Sequence, residues 1–196
     1  MSLYTFARVL IKGYLKTFYK LKVYGVKNIP KEGPLILISN HISNFDPVVI
    51  ACSVNRKVHF MAKKELFDIP ILGSFLKKVG QFPINRGGSD RKAIKTALDL
   101  LKEQEVLGIF PEGTRSKDKE LKPGLPGAAL FALKSDVKVI PIGIDSSYKW
   151  FQPIIVNIGN PIQLDSFKKE KVSSEDLTET MTFMMAQIKK QLEEIK

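Results

Sequence analysis

Short apolar runs alternate with longer stretches of helical apolar spacing along the chain after residue 33. The apolar runs predict strands at 34–39, 58–62, 82–85, 106–110, 137–144 and 154–158. Strands that alternate with helices favour parallel pairing, because each helix carries the chain back to start the next strand. The sequence therefore predicts an α/β fold, with a mostly parallel or mixed sheet flanked by helices.

Two of the predicted helices have clear start signals. Residues 89–104 show an apolar stripe at helical spacing, with Ser89 as a candidate N-cap. A last helix, over residues 174–195, begins with Ser173 and Asp176 in the arrangement of a capping box. The length of 196 residues suits one such domain with a short appendage.

Composition limits the kinds of protein that this chain can be. Hydrophobic residues make up 44% and charged residues 26%, which excludes a disordered or collagen-like chain. The single cysteine, Cys52, excludes an internal disulfide framework and a thiolate-rich zinc site. The net charge of +11 favours an anionic partner, such as nucleic acid, a phosphorylated substrate or an acidic membrane.

Residues 1–22 form the appendage, which we predict to be an amphipathic helix that associates with a membrane. Its cations recur at every fourth position, at Arg8, Lys12, Lys16 and Lys20. Aromatic and aliphatic side chains fill the opposite side, and residues 1–31 contain no acid, which suits an anionic bilayer surface. The same pattern also allows a helix that simply packs on the domain at residues 23–196.

The apolar runs are too short for a membrane-spanning helix, which needs about 20 mostly apolar residues. The N-terminus also lacks the unbroken apolar core of a signal peptide. We therefore expect a peripheral protein at the cytoplasmic face of a membrane. Nucleic acid is a poorer partner, because the aromatic side chains lie away from the cations and not among them.

Polar clusters follow three of the predicted strands. They contain His41 and Asp46 after the first strand, Arg86 after the third, and Glu112 and Arg115 after the fourth. In open α/β sheets, ligands bind beyond the carboxyl ends of the strands. If these three strands run parallel, the five side chains lie along one edge of the sheet.

The residue types in these clusters suit the chemistry of a phosphorylated alcohol. His41 is a base near neutral pH, and Asp46 can orient its ring by binding one ring nitrogen. No cysteine or Gly-x-Ser-x-Gly nucleophile accompanies this pair, so the base would activate a substrate hydroxyl or water. Arg86 and Arg115 can bind a phosphate through their guanidinium groups.

Each of these signals also has a simpler interpretation when it is taken alone. Asp46 before Pro47 is a common way to begin a helix, and an arginine after a strand is usually solvated. A metal site is not expected, because the second histidine, His59, lies in an apolar run typical of a core or edge strand. The order and placement of the clusters together favour a functional site.

Four blocks of the sequence resemble, in order, those of the 1-acylglycerol-3-phosphate O-acyltransferase (lysophosphatidate acyltransferase) family. They are NHISNFD at 40–46, GQFPINR at 80–86, FPEGTRS at 110–116 and VIPI at 139–142. The first block matches the His-x4-Asp motif of the family, and the third matches its Pro-Glu-Gly-Thr motif. The resemblance spans residues 23–160, which is most of the chain.

The resemblance implies an enzyme with the fold of glycerolipid acyltransferases. His41, oriented by Asp46, would take the proton from the sn-2 hydroxyl of lysophosphatidic acid. That hydroxyl would attack the acyl thioester of either acyl carrier protein or coenzyme A, which makes phosphatidic acid for phospholipid biosynthesis. No other cofactor is implied. The acceptor would bind at Arg86, Glu112, Gly113, Thr114 and Arg115, with Glu112 paired to an arginine or to glycerol hydroxyls.

One stretch departs from the family pattern. Many members have Lys-x-Gly-Ala after the Pro-Glu-Gly-Thr block, whereas Leu125 stands at the lysine position here and Lys122 lies three residues earlier. Whether Lys122 takes its place is open. Two other functions also stay open, namely an acyltransferase for a different lysolipid and a non-catalytic module that binds anionic lipid.

Overall fold

A computed structural model describes residues 2–85, 90–135 and 137–195 of the chain. Its strands are β1 (Lys22–Tyr24), β2 (Leu35–Ser39), β3 (Val58–Lys63), β4 (Phe82–Ile84), β5 (Val106–Ile109), β6 (Lys138–Ser146) and β7 (Ile154–Ile158). Its α-helices are α1 (Leu3–Tyr19), α2 (Asp46–Ser53), α3 (Leu72–Lys78), α4 (Arg91–Lys102), α5 (Gly127–Ser135) and α6 (Ser174–Glu193).

The seven strands form one sheet in the order β1-β7-β6-β2-β5-β3-β4. All neighbouring pairs are parallel except β6 and β7, which are antiparallel. The predicted α/β class with a mostly parallel or mixed sheet is therefore confirmed. The prediction missed β1, because its three residues are too few to show a period.

Helices cover both faces of the sheet. One core lies between the sheet and α4, α5 and α6, and the other lies beneath α1 and α2. The central strand β2 is completely buried, as expected for a parallel strand that is covered on both sides. This burial holds the carboxyl end of β2, and the residues that follow it, at a defined position.

The start signals of two helices have different outcomes. Ser173 and Asp176 form the predicted capping box of α6. The N-cap of α4 is Asp90, whose carboxylate accepts hydrogen bonds from the backbone N–H groups of Lys92 and Ala93. The candidate cap Ser89 lies outside the described residues.

Helix α1 packs on α2 through one side and leaves another apolar side exposed. Leu15 is buried, and Arg8 donates from Nη1 to the carbonyl oxygen of Val54 at 3.0 Å. A second apolar stripe remains at the surface, at Leu3, Phe6, Leu10 and Tyr14. The expected division into one cationic and one apolar side is wrong at Arg8, because burying α1 requires a side that contacts the domain.

Over residues 2–85, 90–135 and 137–195, no helix combines the length and hydropathy that crossing a bilayer requires.

Candidate active site

His41 lies in the loop between strand β2 and helix α2, and Asp46 follows at the end of that loop. The Asn40 side chain bonds both the carbonyl oxygen and the N–H of Ile144, which ties the end of β2 to β6. Asp46 is the first residue of α2. The N-cap of this helix is Phe45, and no side chain forms a capping hydrogen bond at this end. The carboxylate of Asp46 therefore does not cap the helix and is available to the loop before it.

Asp46 is fully buried and accepts four hydrogen bonds. Oδ2 lies 2.7 Å from Nδ1 of His41 and 2.7 Å from the backbone nitrogens of Ile42 and Ser43. Oδ1 accepts from the hydroxyl of Tyr148 at 2.5 Å. Backbone N–H groups can only donate, so Oδ2 is an acceptor and Nδ1 of His41 is the donor to it. The other ring nitrogen, Nε2, then carries the free lone pair of a base.

The ring of His41 is held by stacking as well as by Asp46. Its centroid lies 4.1 Å from that of Phe110, and Phe110 stacks in turn on Phe60 at 5.6 Å. His41 is 9% exposed, so the ring lies just beneath the surface. Among the described residues, no hydrogen bond engages Nε2, so this nitrogen can serve a substrate.

Glu112 connects the two motif-bearing loops. One carboxylate oxygen accepts from the backbone N–H of His41 at 2.7 Å, and the other accepts from the backbone N–H of Lys122 at 3.1 Å. Burial raises the pKa of Glu112, although both amides favour its charged form. Its partners among the described residues are thus two backbone amides, and the expected pairing with an arginine or with glycerol hydroxyls stays a prediction.

The loop after Glu112 contacts His41 a second time and then exposes its polar residues. Gly113 makes a turn at φ 69°, where its N–H donates to the carbonyl oxygen of Phe110. The N–H of Ser116 donates to the carbonyl oxygen of His41 at 2.8 Å. Thr114 and Arg115 lie at the surface between these contacts. The predicted edge therefore does bring the 110–116 block to His41.

Three cations are candidates for binding the acceptor, namely Arg86, Lys122 and Arg115. Arg86 follows β4 but lies outside the described residues. Lys122 is half-buried, and its backbone N–H bonds Glu112, while its side chain forms no ion pair within the described parts of the chain. Arg115 likewise has no acidic partner there, which leaves its guanidinium group able to bind an anion.

Among the described residues, no cysteine, serine or threonine side chain forms a hydrogen bond with the His41 ring. Cys52 is buried beneath α1, and burial raises its pKa to about 11. The hydroxyl of Ser43 accepts from the N–H of Phe45 and makes no hydrogen bond to His41. His59 is buried and binds the carbonyl oxygen of Gly80 through Nδ1. Within the described ranges, no three His, Cys, Asp or Glu side chains lie close enough together to hold a metal ion.

A polar cleft of about 370 Å³ lies apart from this site, between β7 and α6. Its lining includes Asn28, Asn157 and Gln187, and none of the predicted site residues. The hydrogen bonds around His41 are a better guide to the chemistry than this cleft, since no histidine is among the residues that line it.

Sequence reasoning missed two residues that contact the pair. Tyr148 lies in a segment that the sequence predicts only as a loop, and it reaches Asp46 across 102 positions. Phe110 belongs to the motif block at 110–116, but no role was expected for its ring. The phenylalanine before Pro-Glu-Gly-Thr is the one signal that could have suggested a stacking partner.

Comparisons with known proteins identify the family of this chain. The sequence profile described as Acyltransferase matches residues 20–145, which include His41, Asp46 and the 110–116 block. The chain belongs to the acyltransferase family. The matched part of this acyltransferase runs from the end of α1 into β6, so it includes both loops that meet at His41.

Two relatives of this acyltransferase match nearly all of its length. The 1-acyl-sn-glycerol-3-phosphate acyltransferase of Bacillus subtilis (strain 168) is 31% identical over 98% of this chain and 100% of its own. The enzyme of the same name from Borreliella burgdorferi is 30% identical over 90% of this chain and 73% of its own.

A solved structure also resembles this acyltransferase. The crystal structure of the 1-acyl-sn-glycerophosphate (LPA) acyltransferase PlsC from Thermotoga maritima matches with a TM-score of 0.73 and 26% sequence identity. The match covers 100% of this chain and 83% of that one. The N-terminal helix α1 is thus part of the matched length.

Proposed function

We propose that this acyltransferase transfers an acyl chain from a thioester to the sn-2 hydroxyl of 1-acylglycerol-3-phosphate, which makes phosphatidic acid. The observation that carries the proposal is the His41–Asp46 pair, with Nδ1 bound at 2.7 Å and Nε2 without a partner among the described residues. The full-length relative from Bacillus subtilis supports the choice of substrate.

The pair would act as a general base on the acceptor alcohol. Nε2 of His41 accepts the sn-2 hydroxyl proton, and the oxygen forms a bond to the thioester carbonyl carbon. Asp46 stabilises the imidazolium that forms. Collapse of the tetrahedral intermediate breaks the carbon–sulfur bond, and the imidazolium returns the proton to the thiolate. A thiol has a pKa of about 8.5, so the thiolate leaves readily.

The acceptor phosphate and glycerol would bind along the 110–116 block. Arg115 is exposed, and Thr114 beside it offers a hydroxyl at the same edge of the sheet. Glu112 and Gly113 would shape this loop, and Arg86 would add a second guanidinium group. The basic surface suits the phosphates of coenzyme A and the acidic surface of acyl carrier protein equally, so either thioester is a candidate donor.

An anionic membrane surface is the second proposed partner, at its cytoplasmic face. The exposed stripe of α1 is bordered by Lys16 and Lys20, and no acid lies in residues 1–31. Apart from those of α1 and Tyr24, the large apolar side chains that are exposed in the described residues follow carboxyl ends of strands, at Phe45, Leu66, Ile69, Ile71, Leu72, Phe75, Leu125, Trp150 and Phe151. Among them, Phe45 contacts Tyr148 beside Asp46, and the N–H of Leu125 donates to the carbonyl oxygen of Pro111 next to Glu112, so the surface beside His41 would meet the bilayer and its lysolipid.

A thiol-release assay tests the proposal. Purified protein is mixed with acyl carrier protein or coenzyme A thioesters and a panel of lysolipids, with His41→Ala beside the wild type. We expect release with lysophosphatidic acid and a loss of at least about a thousandfold in the variant, because the base is gone. Thermal unfolding of both proteins checks that the variant folds.

Each other result excludes the proposal in a specific way. Release only with a different lysolipid would identify another acceptor. Binding to anionic vesicles without release from any thioester would identify a lipid-binding module. Near-wild-type turnover by a folded His41→Ala protein would refute the role of His41.

A further inference from the structure

Tyr148 contacts the acid–base pair from a loop that none of the motif blocks includes. Its hydroxyl donates to Oδ1 of Asp46 at 2.5 Å, on the side of the carboxylate opposite to His41. Burial and the charge of Asp46 both raise the pKa of Tyr148 above its usual value, so the phenol stays protonated and remains a donor. Among the described residues, the side chains that form hydrogen bonds with Asp46 are those of His41 and Tyr148.

The backbone at Tyr148 is unusual for a non-glycine residue. Its φ is 53°, in the left-handed region that most side chains avoid. The hydroxyl of Ser146 accepts a hydrogen bond from the N–H of Tyr148 at 2.9 Å, and the ring of Phe45 lies 6.2 Å from that of Tyr148 at an interplanar angle of 27°. A costly backbone conformation persists only where its surroundings hold it, and these contacts do so.

The loop that carries Tyr148 is also attached to α1. The N–H of Phe151 donates to the carbonyl oxygen of Phe18 at 2.7 Å. The ring of Phe18 lies 5.6 Å from that of Trp150 and 6.2 Å from that of Phe151. We call Phe18, Trp150 and Phe151 the aromatic cluster. It joins the end of α1 to the loop, three residues or fewer from Tyr148.

We propose that Tyr148 is a positioning residue for the His41–Asp46 pair, and that the aromatic cluster holds Tyr148 in place. The hydroxyl fixes the carboxylate plane of Asp46, which in turn fixes the orientation of the His41 ring. The aromatic cluster connects this arrangement to α1. This inference rests on the proposed function only in the tests that measure turnover.

The first test compares Tyr148→Phe with Tyr24→Phe, a matched loss of a hydroxyl from an exposed tyrosine. We expect kcat to fall about tenfold in Tyr148→Phe with KM values little changed, since a hydrogen bond to a charged group is lost. Tyr24→Phe should behave as the wild type. Equal kcat in both variants would overturn the proposal.

The pH profile distinguishes positioning from a general structural defect. Among the described residues, Asp46 and Glu112 bond the His41 ring and loop, Tyr148 bonds Asp46, and the charged Lys122 lies beside Glu112. Without the phenol donor, the negative charge of Asp46 stabilises the protonated ring of His41 more strongly. The ring should therefore stay protonated up to a higher pH, and the acid limb of kcat/KM should move to higher pH in Tyr148→Phe. An unmoved limb would mean that Tyr148 contributes only to folding.

The second test is a double-mutant cycle between Trp150→Ala and Tyr148→Phe, measured in detergent micelles so that membrane binding plays no part. If the aromatic cluster acts through Tyr148, Trp150→Ala lowers kcat in the wild type and has little further effect in Tyr148→Phe. Fully additive losses would refute the connection. They would leave the positioning role to the first test.

A measurement without substrate keeps the inference separate from the proposed function. The ring resonances of His41 are followed by NMR across pH in wild type, Tyr148→Phe and Tyr24→Phe. A changed titration curve only in Tyr148→Phe supports the positioning role, even if the wild type acylates no lysolipid. Three identical curves would overturn the role, even if the acyltransfer assay succeeds.

Discussion

At the scale of single residues, the site depends on buried carboxylates that are surrounded by donors. Burying a carboxylate without partners costs several kcal/mol, roughly, and Asp46 avoids this cost with four hydrogen bonds. Glu112 is 6% exposed and has two backbone partners. Both carboxylates bind the loop that contains His41, so the position of the base depends on their acceptor oxygens.

Glu112→Gln should destabilise the fold and lower turnover. A glutamine amide presents one NH2 group, which would face the N–H of either His41 or Lys122 and leave it without an acceptor. We expect the free energy of unfolding to fall by about 1–3 kcal/mol in urea titrations. Glu120→Gln, at an exposed position, is the control and should stay within about 0.5 kcal/mol. An unchanged unfolding curve for Glu112→Gln would contradict the connecting role.

Arg115→Gln should weaken acceptor binding selectively. If the guanidinium binds the acceptor phosphate, KM for lysophosphatidic acid rises about tenfold or more while KM for the thioester changes little. Lys102→Gln removes the same charge at the far end of α4, where the side chain is 80% exposed, and it should alter neither constant. Equal increases in both KM values of Arg115→Gln would count against a phosphate site.

At the scale of elements, helix ends are set by side chains near their termini. Helix α6 covers one core, and its first turn contains Asp176, which binds Ser173 and the ammonium group of Lys169. The hydrogen bond from Lys169, followed by those from Ser173, lowers the pKa of Asp176 to about 2. The start of α6 therefore depends on the ionised form of one carboxyl group.

The pH dependence of stability should report this cap. A carboxyl group with a lowered pKa in the folded state stabilises the protein above its unfolded pKa of about 3.9, and this contribution is lost as pH falls towards 2. Asp176→Asn should thus be less stable than the wild type at pH 6, with a gap that narrows below pH 4. Urea unfolding at several pH values measures the gap.

The matched control for the cap is Asp68→Asn. Asp68 is exposed and forms no ion pair within the described residues, so its variant should follow the wild-type curve. A gap of constant size for Asp176→Asn across this pH range would show that the ionised carboxylate does not stabilise the helix.

At the scale of the whole molecule, the large apolar side chains that are exposed in the described residues lie, apart from Tyr24, on α1 or in segments that follow strands. The short strand β1 and its neighbour β7 lie at one end of the sheet, and β4 lies at the other end. Helix α1 covers the core that contains Leu15, Leu35 and Ile50. Deletion of α1 would expose apolar core residues, which would themselves bind membranes and mask the loss of the helix. Substitutions on its exposed stripe avoid this problem.

Phe6→Ser combined with Leu10→Ser should release the protein from membranes without unfolding it. Both side chains are about half exposed, so the folded state loses little, whereas the bilayer loses two apolar contacts worth roughly 1.5–3 kcal/mol each when fully buried. We expect sedimentation with anionic vesicles to fall at least about tenfold, and raised salt to lower it further.

Tyr24→Ser serves as the control for that experiment, because Tyr24 is exposed but lies outside the apolar surface of α1 and the sheet edge. It should sediment with vesicles as the wild type does. Undiminished sedimentation of the α1 variant would show that this stripe does not contact the bilayer.

The sequence by itself determined the alternation of strands and helices, the capping box at Ser173 and the spacing of His41 and Asp46. These features depend on residues close together in the chain, whose periods and propensities are visible without coordinates. The parallel sheet then follows from the helices between strands, and with it the edge that gathers the motif blocks.

Only the tertiary structure decided how the site is held and which side of α1 is free. Glu112 reaches the backbone of His41 across 71 positions, and Tyr148 reaches Asp46 across 102. Arg8 contacts the domain, where it donates to the carbonyl oxygen of Val54 just after α2. Contacts at such separations depend on strand order and packing, and no local pattern in the sequence records them.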